Sequence, residues 1–367
     1  PLSKESNITK IDLGNNKVRE LGFFISDEYR IINSLTVNAG IRYSIFDSTG
    51  PHTEYLYAAD KPRSDVNIVD TIYHESTKSI QRYTGIEPRF SLKYELNPYS
   101  FFKAGLSRSN QYLHLISNTT AITPIDVWVS SSAHIKPQIG TQYALGYFRK
   151  FSKKGVQASV EVFYKKVSNV PDYKNGAQLI LKENVETELV NSMARSKGVE
   201  FSIQKEGRFS GTLNYTYSRS ERKTDAAFNA LKINENEWFA SNYDRPHDLK
   251  LNANYEVSKR YVLSVNFNLN SGRPLTLPSE KFEIDGIRVF NFGNRNEARL
   301  PIYHRMDISL LIRSNHKRNK SWEGSWIITL YNAYARKNAY SIFFSDDNGS
   351  MPQANKLSIL GIVRYRI

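Results

Sequence analysis

Apolar and polar residues alternate along this chain with a period of two, and the pattern recurs from end to end. In residues 35–46, 249–257 and 263–269 the odd positions are apolar and the even ones are mostly polar. Successive side chains of a β-strand point to opposite faces, so each segment predicts a strand with one apolar and one polar face. The only helical pattern is a short segment near 228–233.

About thirteen strands follow from this pattern, with no linker, composition break or sequence repeat that would divide the chain into domains. They are predicted near 20–31, 35–46, 84–96, 101–113, 137–149, 156–168, 195–205, 209–222, 247–257, 261–272, 303–314, 325–336 and 356–367. An all-β chain with only antiparallel neighbours is therefore expected over 1–367.

The connections between these strands alternate strictly between short and long. A soluble sandwich has no reason to sort its connections in this way, whereas an outer-membrane barrel has tight periplasmic turns and long outer loops. The short connections are 32–34, 97–100, 150–155, 206–208, 258–260 and 315–324, and the long ones are 47–83, 114–136, 169–194, 223–246, 273–302 and 337–355. The sequence thus predicts a transmembrane antiparallel β-barrel.

Composition excludes several other classes of protein. The 367 residues contain no Cys, so disulfides, thiolate metal sites and Cys nucleophiles are ruled out. No apolar run approaches the roughly 20 residues that a membrane-spanning helix needs. At 40% hydrophobic and 13% aromatic residues, the chain is too apolar to be disordered. Its net charge of +14 fits basic residues near anionic lipid headgroups and in a polar lumen.

The apolar face has two interpretations, the interior of a soluble β-fold or a surface covered by lipid. Alternation alone does not separate them, and the sorting of the connections favours lipid. The outward face then carries an aromatic girdle near the strand ends, formed by Tyr43, Tyr94, Tyr147, Tyr164, Tyr217 and Tyr255. The lumen is lined by ionisable and amide groups, which are Arg42, Glu87, Arg89, Lys93, Lys103, Gln138, Gln142, Glu161, Glu200, Gln204, Asn252, Asn254, Asn266, Asn268 and Asp307.

The order of short and long connections also gives the direction of each strand. The first and last strands run the same way, so they cannot pair to close an antiparallel barrel, and bacterial single-chain barrels have even strand numbers. We therefore expect about nine earlier strands outside these residues. The total would be 22 strands, a size associated with plugged outer-membrane transporters.

Several motifs, in order along nearly the whole chain, resemble the TonB-dependent outer-membrane receptors of Bacteroidetes-type bacteria. The motifs are the segments 87–96, 111–119, 126–129, 135–138, 142–149, 160–165, 197–201, 215–220, 243–247 and 301–307. The resemblance implies that residues 1–367 are part of a receptor barrel in the outer membrane of a Gram-negative cell, with the N-terminal plug and first strands absent.

The resemblance also implies a function. Such receptors import a siderophore, haem, cobalamin, glycan or peptide, using energy that the TonB complex delivers through a segment ahead of the plug. The expected partners are outer-membrane lipid, the TonB complex and a surface lipoprotein. Two alternatives stay open, a transporter-like barrel that serves as a platform for surface lipoproteins and a passive pore.

Residues at the outer ends of the strands are the candidates for cargo contact. Trp128 and Trp238 lie on long loops, where an exposed aromatic ring could stack on a sugar or a chelate. Tyr243, Arg245 and His247 lie where a long loop enters a strand. For this last group a rim latch, with Asp244 and Arg245 paired to neighbouring loops, is the favoured interpretation. For Tyr303 and Arg305, too, a structural role at the rim is favoured over cargo contact.

The other chemical patterns favour no enzyme, cofactor, metal or nucleic acid. None of the seven His has metal-ligand spacing with another. Asp346–Gly349 resembles half of a calcium loop but lacks the distal Glu. The basic cluster 315–320 is interpreted as a solvated periplasmic turn, and no nucleophile or phosphate-binding motif is present.

Overall fold

The structure is a computed structural model that describes residues 17–75, 78–116, 127–151, 155–179, 182, 184–284, 287–314, 324–343, 353–356 and 360–366. Thirteen strands pair in chain order into one antiparallel sheet, which confirms the predicted all-β fold. They are β1 (Lys17–Ile32), β2 (Leu35–Thr49), β3 (Ser79–Asn97), β4 (Ser100–Gln111), β5 (Gln138–Phe151), β6 (Val156–Tyr173), β7 (Leu189–Lys205), β8 (Phe209–Thr224), β9 (His247–Glu256), β10 (Tyr261–Asn270), β11 (Tyr303–Arg313), β12 (Ser325–Tyr331) and β13 (Leu360–Arg366).

Several strands differ in length from the prediction. Strands β6 and β7 extend further towards the long connections than predicted, and a bulge between Val167 and Val170 interrupts their pairing. Strand β12 ends at Tyr331 instead of 336, because Asn332 and Ala335 adopt positive φ angles of 53° and 58°. The Asn332 side chain stabilises this turn by accepting a hydrogen bond from the Arg336 amide at 3.0 Å.

The long connections contain short elements of their own. Four hairpins pair His52–Tyr57 with Ile68–His74, Leu113–Ile116 with Val127–Ser130, Pro278–Ile284 with Ile287–Phe292, and Ala339–Phe343 with Gln353–Lys356. Pro274–Leu275 pairs with Ala298–Arg299, and Phe239–Ala240 adds to the edge of β8. Single 3₁₀ turns are Asp65–Asn67, Val185–Thr187, Asn229–Leu231 and Asn234–Asn236. No helix in the described part of the chain is long and apolar enough to cross a membrane.

One face of the sheet presents large apolar side chains to the surroundings. On β5, Tyr143 and Leu145 are both more than half exposed, and the same face of the other strands is similarly uncovered. Further exposed members of this face are Ile41, Tyr43, Ile86, Phe90, Tyr94, Val162, Tyr164, Phe201, Ile203, Leu213, Tyr217, Tyr255, Leu263, Ile328 and Leu330. Such a surface is costly in water and fits contact with the hydrocarbon of a bilayer.

The opposite face is polar and hydrogen-bonded. Neighbouring strands β9 and β10 carry an amide ladder, in which Asn252 bonds Asn266 and Asn254 donates to Asn252 at 2.9 Å. Near the long connections, Ser44 Oγ lies 2.8 Å from both Glu87 Oε1 and the Tyr112 hydroxyl. These contacts agree with the predicted polar lumen.

The sheet is open in this structure. Among the described residues, β1 and β13 each pair with one neighbouring strand, β2 and β12 respectively. Every residue of β1 except Val18 is exposed. An unpaired edge of this length leaves a row of backbone donors and acceptors that further strands can satisfy.

Candidate functional site

All six long connections lie at the same end of the sheet, because each follows an even-numbered strand of the antiparallel order. We name them L1 to L6. They span residues 50–78 (L1), 112–137 (L2), 174–188 (L3), 225–246 (L4), 271–302 (L5) and 332–359 (L6). Much of the buried apolar surface of the described chain lies in these connections.

An apolar cluster joins L2 to L3. Ile116, Val129 and Ile135 of L2 pack with Leu179 and Val185 of L3, and Leu189 at the start of β7 completes the cluster. Burial of each such side chain contributes about 1.5–3 kcal/mol relative to exposure. The two connections are therefore expected to act as one packed unit above the sheet.

A second apolar cluster holds L4 against β7. Ile233 is fully buried and packs with Phe239 and Val190. Thr224, at the end of β8, exchanges hydrogen bonds with the Ile233 backbone and donates to Asn236 Oδ1 at 2.7 Å. L4 is thus folded over the top of β7 and β8.

A buried carboxylate ties L5 to the sheet. Asp172, at the end of β6, accepts hydrogen bonds from Arg222 Nη1 at 3.1 Å and from Arg295 Nη1 at 3.3 Å. Arg295 belongs to L5, is itself buried, and has its guanidinium carbon 4.5 Å from the centre of the Tyr173 ring. Its other nitrogen, Nη2, donates to Asn175 Oδ1 in L3 at 2.7 Å.

Asparagine side chains complete the junction of L4 and L5. Asn234 Nδ2 donates to the Arg295 carbonyl at 3.0 Å, and the Arg295 amide donates back to Asn234 Oδ1 at 2.8 Å. Asn296 Nδ2 donates to the Ala240 carbonyl and to Asn242 Oδ1. We call Asp172, Arg222, Asn234, Arg295 and Asn296 the loop junction.

Asp244 is a second anchor for L5. Its carboxylate is almost completely buried, bonds Arg299 of L5, and accepts from the Ser220 amide at 2.6 Å. Arg219 Nη1, on β8, lies 3.6 Å from Asp244 Oδ2. For Asp244, these contacts are the pairing with a neighbouring loop that the rim-latch interpretation predicted. Its neighbour Arg245 is exposed, and within the described residues it forms no hydrogen bond or ion pair.

A cavity of about 470 Å³ lies between L1, L2 and L3. Its lining includes two His and two Glu side chains that sequence spacing does not connect. We call it the L1–L3 cavity. Polar side chains in its lining include Lys17, Ser48, His52, Glu54, Tyr55, Tyr73, Gln81, Ser130, Ser132, His134, Asn184 and Glu186. Its volume is within the range of about 300–1,000 Å³ that is common for small-molecule sites.

Hydrogen bonds hold the polar side chains around this cavity in place. His74 Nε2 lies 2.7 Å from Glu54 Oε2, and His134 Nε2 donates to the Tyr55 carbonyl at 2.8 Å. The Tyr57 hydroxyl donates to Glu186 Oε1 at 2.9 Å and so links L1 to L3.

Burial changes the ionisation of these groups. Removal from water lowers the pKa of His52 and so favours the neutral ring, although Glu186 and Glu54 oppose this effect. Burial also raises the pKa of the Tyr57 hydroxyl, and the Glu186 carboxylate raises it further. Within the residues that the structure covers, no group of three His, Asp or Glu side chains is arranged to hold a metal ion.

The seven side chains predicted to contact cargo do not converge. Trp128 is 62% exposed on the L2 hairpin, opposite Leu115, and Tyr243 is equally exposed on L4. Tyr303 and Arg305 share the polar face, where Arg305 bonds Asp307, Tyr303 and Tyr331. None of the seven lines the L1–L3 cavity.

Two of the seven have contacts on the outward face. The Arg195 guanidinium carbon lies 4.0 Å from the centre of the Trp238 ring, and Arg195 Nε donates to Glu221 at 2.8 Å. His247 Nδ1 lies 2.8 Å from the Tyr215 hydroxyl, and its ring centre is 5.2 Å from that of Tyr217. Trp238 therefore packs a loop against the sheet, and His247 extends the aromatic girdle.

The loop junction and the L1–L3 cavity were missed by sequence reasoning. Their residues are far apart along the chain and lie in segments without periodicity. One local signal exists, since His52 and His74 flank two β-prone segments, and the structure pairs these two residues directly across the L1 hairpin.

Comparison with known proteins identifies the family. The family description "TonB dependent receptor-like, beta-barrel" matches residues 6–356. The ferric yersiniabactin uptake receptor FyuA from Yersinia pestis superposes with a TM-score of 0.58 and 12% identity, over 94% of this chain and 44% of that one. No curated protein sequence matches the chain.

Two further solved structures agree. The ferric-catecholate import receptor Fiu from E. coli K12 gives a TM-score of 0.56 and 14% identity, over 96% of this chain and 45% of that one. The ferripyoverdine receptor of Pseudomonas aeruginosa gives a TM-score of 0.55 and 14% identity, over 93% of this chain and 38% of that one. The chain thus spans less than half the length of these proteins. Because the family match covers nearly all its residues, the chain belongs to the TonB-dependent receptor family, as β-barrel sequence of the Gram-negative outer membrane.

Proposed function

We propose that the protein containing this chain imports a nutrient across the outer membrane with energy from the TonB complex. The observation that carries the proposal is the arrangement of the sheet, with an apolar outer face, a polar inner face and six long connections at one end. This arrangement provides a lipid-facing wall, a hydrated path and a surface on which cargo can bind. Membership of the TonB-dependent receptor family supports the coupling to TonB.

The proposal requires more strands than these thirteen. A membrane-spanning sheet must close, because unpaired backbone groups in hydrocarbon cost several kcal/mol each. The open edges of β1 and β13 supply the two places where further strands join, and a total of 22 with an internal plug is the proposed arrangement. The plug would prevent passive flow and would carry the segment that TonB pulls.

Cargo is proposed to bind at the long connections. The L1–L3 cavity has donors and acceptors on three connections, fixed by the bonds of Tyr57, His74 and His134. Trp128, Tyr243 and Arg245 lie outside this cavity, exposed on L2 and L4, where they would supply stacking and charge. Tyr303 and Arg305 lie on the inner face, along the path that released cargo would take. The cargo class proposed is a siderophore, haem, glycan or peptide.

A deletion strain of the native host tests the proposal. Growth is measured with ferric siderophores, haem, glycans or peptides as the only source of the limiting nutrient. We expect the deletion strain not to grow on one of these nutrient classes and the wild-type gene to restore that growth. Deletion of the host's TonB should abolish the restored growth. Growth on every class without the protein, or restoration that does not need TonB, contradicts energised import.

Site variants and two biochemical measurements complete the test. The double variant Tyr243→Ala, Arg245→Ala is expected to reduce uptake at low cargo concentration with normal amounts of folded protein, and Lys250→Ala, whose exposed side chain lies on the inner face, is the control. Steady ion conductance of the purified protein in planar bilayers would indicate a passive pore. A stable stoichiometric complex with a surface lipoprotein and no uptake defect would indicate an assembly platform.

A further inference from the structure

Three arginines at the short-turn end of the sheet each lie over an aromatic ring. The guanidinium carbon of Arg149 is 5.1 Å from the centre of the Phe151 ring. The same distance is 5.3 Å between Arg208 and Tyr255, and 5.5 Å between Arg260 and Tyr261. These distances are within the range of cation–π contacts, so each arginine has a preferred position at the end of its strand.

These pairs belong to the outward face. Arg149 and Phe151 continue the exposed series of Leu145 on β5, and the rings of Tyr255 and Tyr261 are exposed as well. Arg208 is fixed further, since it donates to the Glu256 and Val257 carbonyls at 2.9 and 3.1 Å, across the turns at the ends of β8 and β9. We call Arg149, Arg208 and Arg260 the arginine rim.

The sequence segments that carry the rim are strongly basic. The segments 149–156, 205–209 and 256–261 contain eight basic residues, Arg149, Lys150, Lys153, Lys154, Lys205, Arg208, Lys259 and Arg260, against Glu206 and Glu256. Glu256 lies 3.5 Å from Arg313, on the inner face. In the described part of the chain, no carboxylate pairs with any of the three rim arginines. Among the described residues, the rim thus presents exposed guanidinium groups without a carboxylate counter-ion.

We propose that the arginine rim binds the phosphate groups of anionic glycerophospholipids in the periplasmic leaflet of the outer membrane. Short turns of such barrels face the periplasm, which places the rim at the headgroups of that leaflet. A planar guanidinium donates two parallel hydrogen bonds to a phosphate. The neighbouring rings and the apolar face above them would contact the acyl chains, so a whole lipid fits the surface better than a free anion.

Native mass spectrometry of the full-length receptor in detergent tests this proposal. The probes are phosphatidylglycerol and phosphatidylethanolamine at equal concentration, and the readout is the ratio of retained adducts. We expect phosphatidylglycerol to be preferred, and each Arg→Gln substitution at the rim to weaken its binding about five-fold. In the triple variant Arg149→Gln, Arg208→Gln, Arg260→Gln, the preference for phosphatidylglycerol should disappear.

A matched control removes three charges from the outward face near the long connections, by Arg82→Gln, Lys166→Gln and Lys197→Gln. This control should keep the preference, and equal loss in both triple variants would overturn the proposal as an effect of net charge. The same conclusion follows if inorganic phosphate competes with the lipid at equal concentration, because the site would then bind free anions. Arg149→Gln and Arg260→Gln, whose side chains form no hydrogen bonds to the described backbone, provide the test if the triple variant does not fold.

Discussion

Arg295 Nη1 lies 3.3 Å from Asp172 Oδ1, although 123 residues separate the two along the chain. Both side chains are almost completely buried, and Arg222 pairs with the other carboxylate oxygen. A buried charge needs a partner, so this contact fixes where L5 sits above β6 and β8. The position of the outermost connections is therefore set by a few ion pairs as well as by apolar packing.

The substitution Asp172→Asn should release L5. It leaves Arg295 and Arg222 without their shared counter-ion, and breaking a buried pair in this way costs about 3–5 kcal/mol. Hydrogen exchange of residues 287–300 should become faster, while the strands within the membrane keep their protection. The control is Glu75→Gln, which removes an exposed pair with Lys78 worth about 0–1 kcal/mol. Equal exchange in both variants would show that apolar contacts alone hold L5.

Gly272, at the start of L5, should not tolerate a side chain. A Cβ there would lie 1.6 Å from the Leu300 carbonyl oxygen, which is backbone and cannot move aside without displacing the pairing of L5. We expect Gly272→Ala to lower the thermal midpoint and to expose L5 to trypsin. Gly105→Ala is the matched control, because the nearest atom to its Cβ would be 3.9 Å away. A Gly272→Ala protein with unchanged midpoint and trypsin pattern would contradict this geometry.

Acid should loosen the L2 hairpin through His114. The ring is fully buried, accepts a hydrogen bond from Gln138 Nε2 at 2.9 Å, and has its other nitrogen 3.0 Å from Ser131 Oγ. Burial lowers the pKa of His114 from its ordinary 6.5 to about 4. The unfolded hairpin takes up a proton as the pH falls through 6.5, whereas the folded one does not. The hairpin is therefore most stable above pH 6.5. Its free energy of unfolding decreases as the pH falls and should be about 3 kcal/mol lower at pH 4.

Hydrogen exchange of residues 113–116 and 127–130, compared at pH 7 and pH 4.5 after correction for the intrinsic rate, measures this effect. His114→Gln should make the protection independent of pH. The exposed His247→Gln is the control and should leave the pH dependence as in the wild type. If His114→Gln retains the acid sensitivity, another group causes it.

The strands could be predicted from sequence because their signal is local. Each carries its own period-two pattern, and neighbours along the chain are neighbours in the sheet, so order and register direction follow directly. Strand ends were less accurate where special backbone intervenes, as at Asn332, or where a bulge lets β6 continue past Val167.

The contacts among the connections could not be predicted in the same way. The partner of Asp172 depends on how L5 folds back over L3, and no periodicity encodes that path. The L1–L3 cavity joins His52, His134 and Glu186 from three connections. For Asp244, the sequence predicted pairing with neighbouring loops, and the structure identifies Arg299 as a partner.

The two faces of β5 offer the most direct test of the membrane assignment. Leu145 lies near the middle of the strand and is 51% exposed on the apolar face, whereas Gln142 belongs to the polar face. Leu145→Arg should destabilise the barrel in lipid vesicles by about 2–4 kcal/mol, because it places a charge near the bilayer centre. Gln142→Arg adds the same charge to the hydrated side and should change stability little. Folding efficiency in phosphatidylcholine vesicles, followed by the heat-dependent gel shift of folded barrels, distinguishes the variants. Equal folding of the two would mean that the apolar face does not meet hydrocarbon, and the outer face would then require a protein partner.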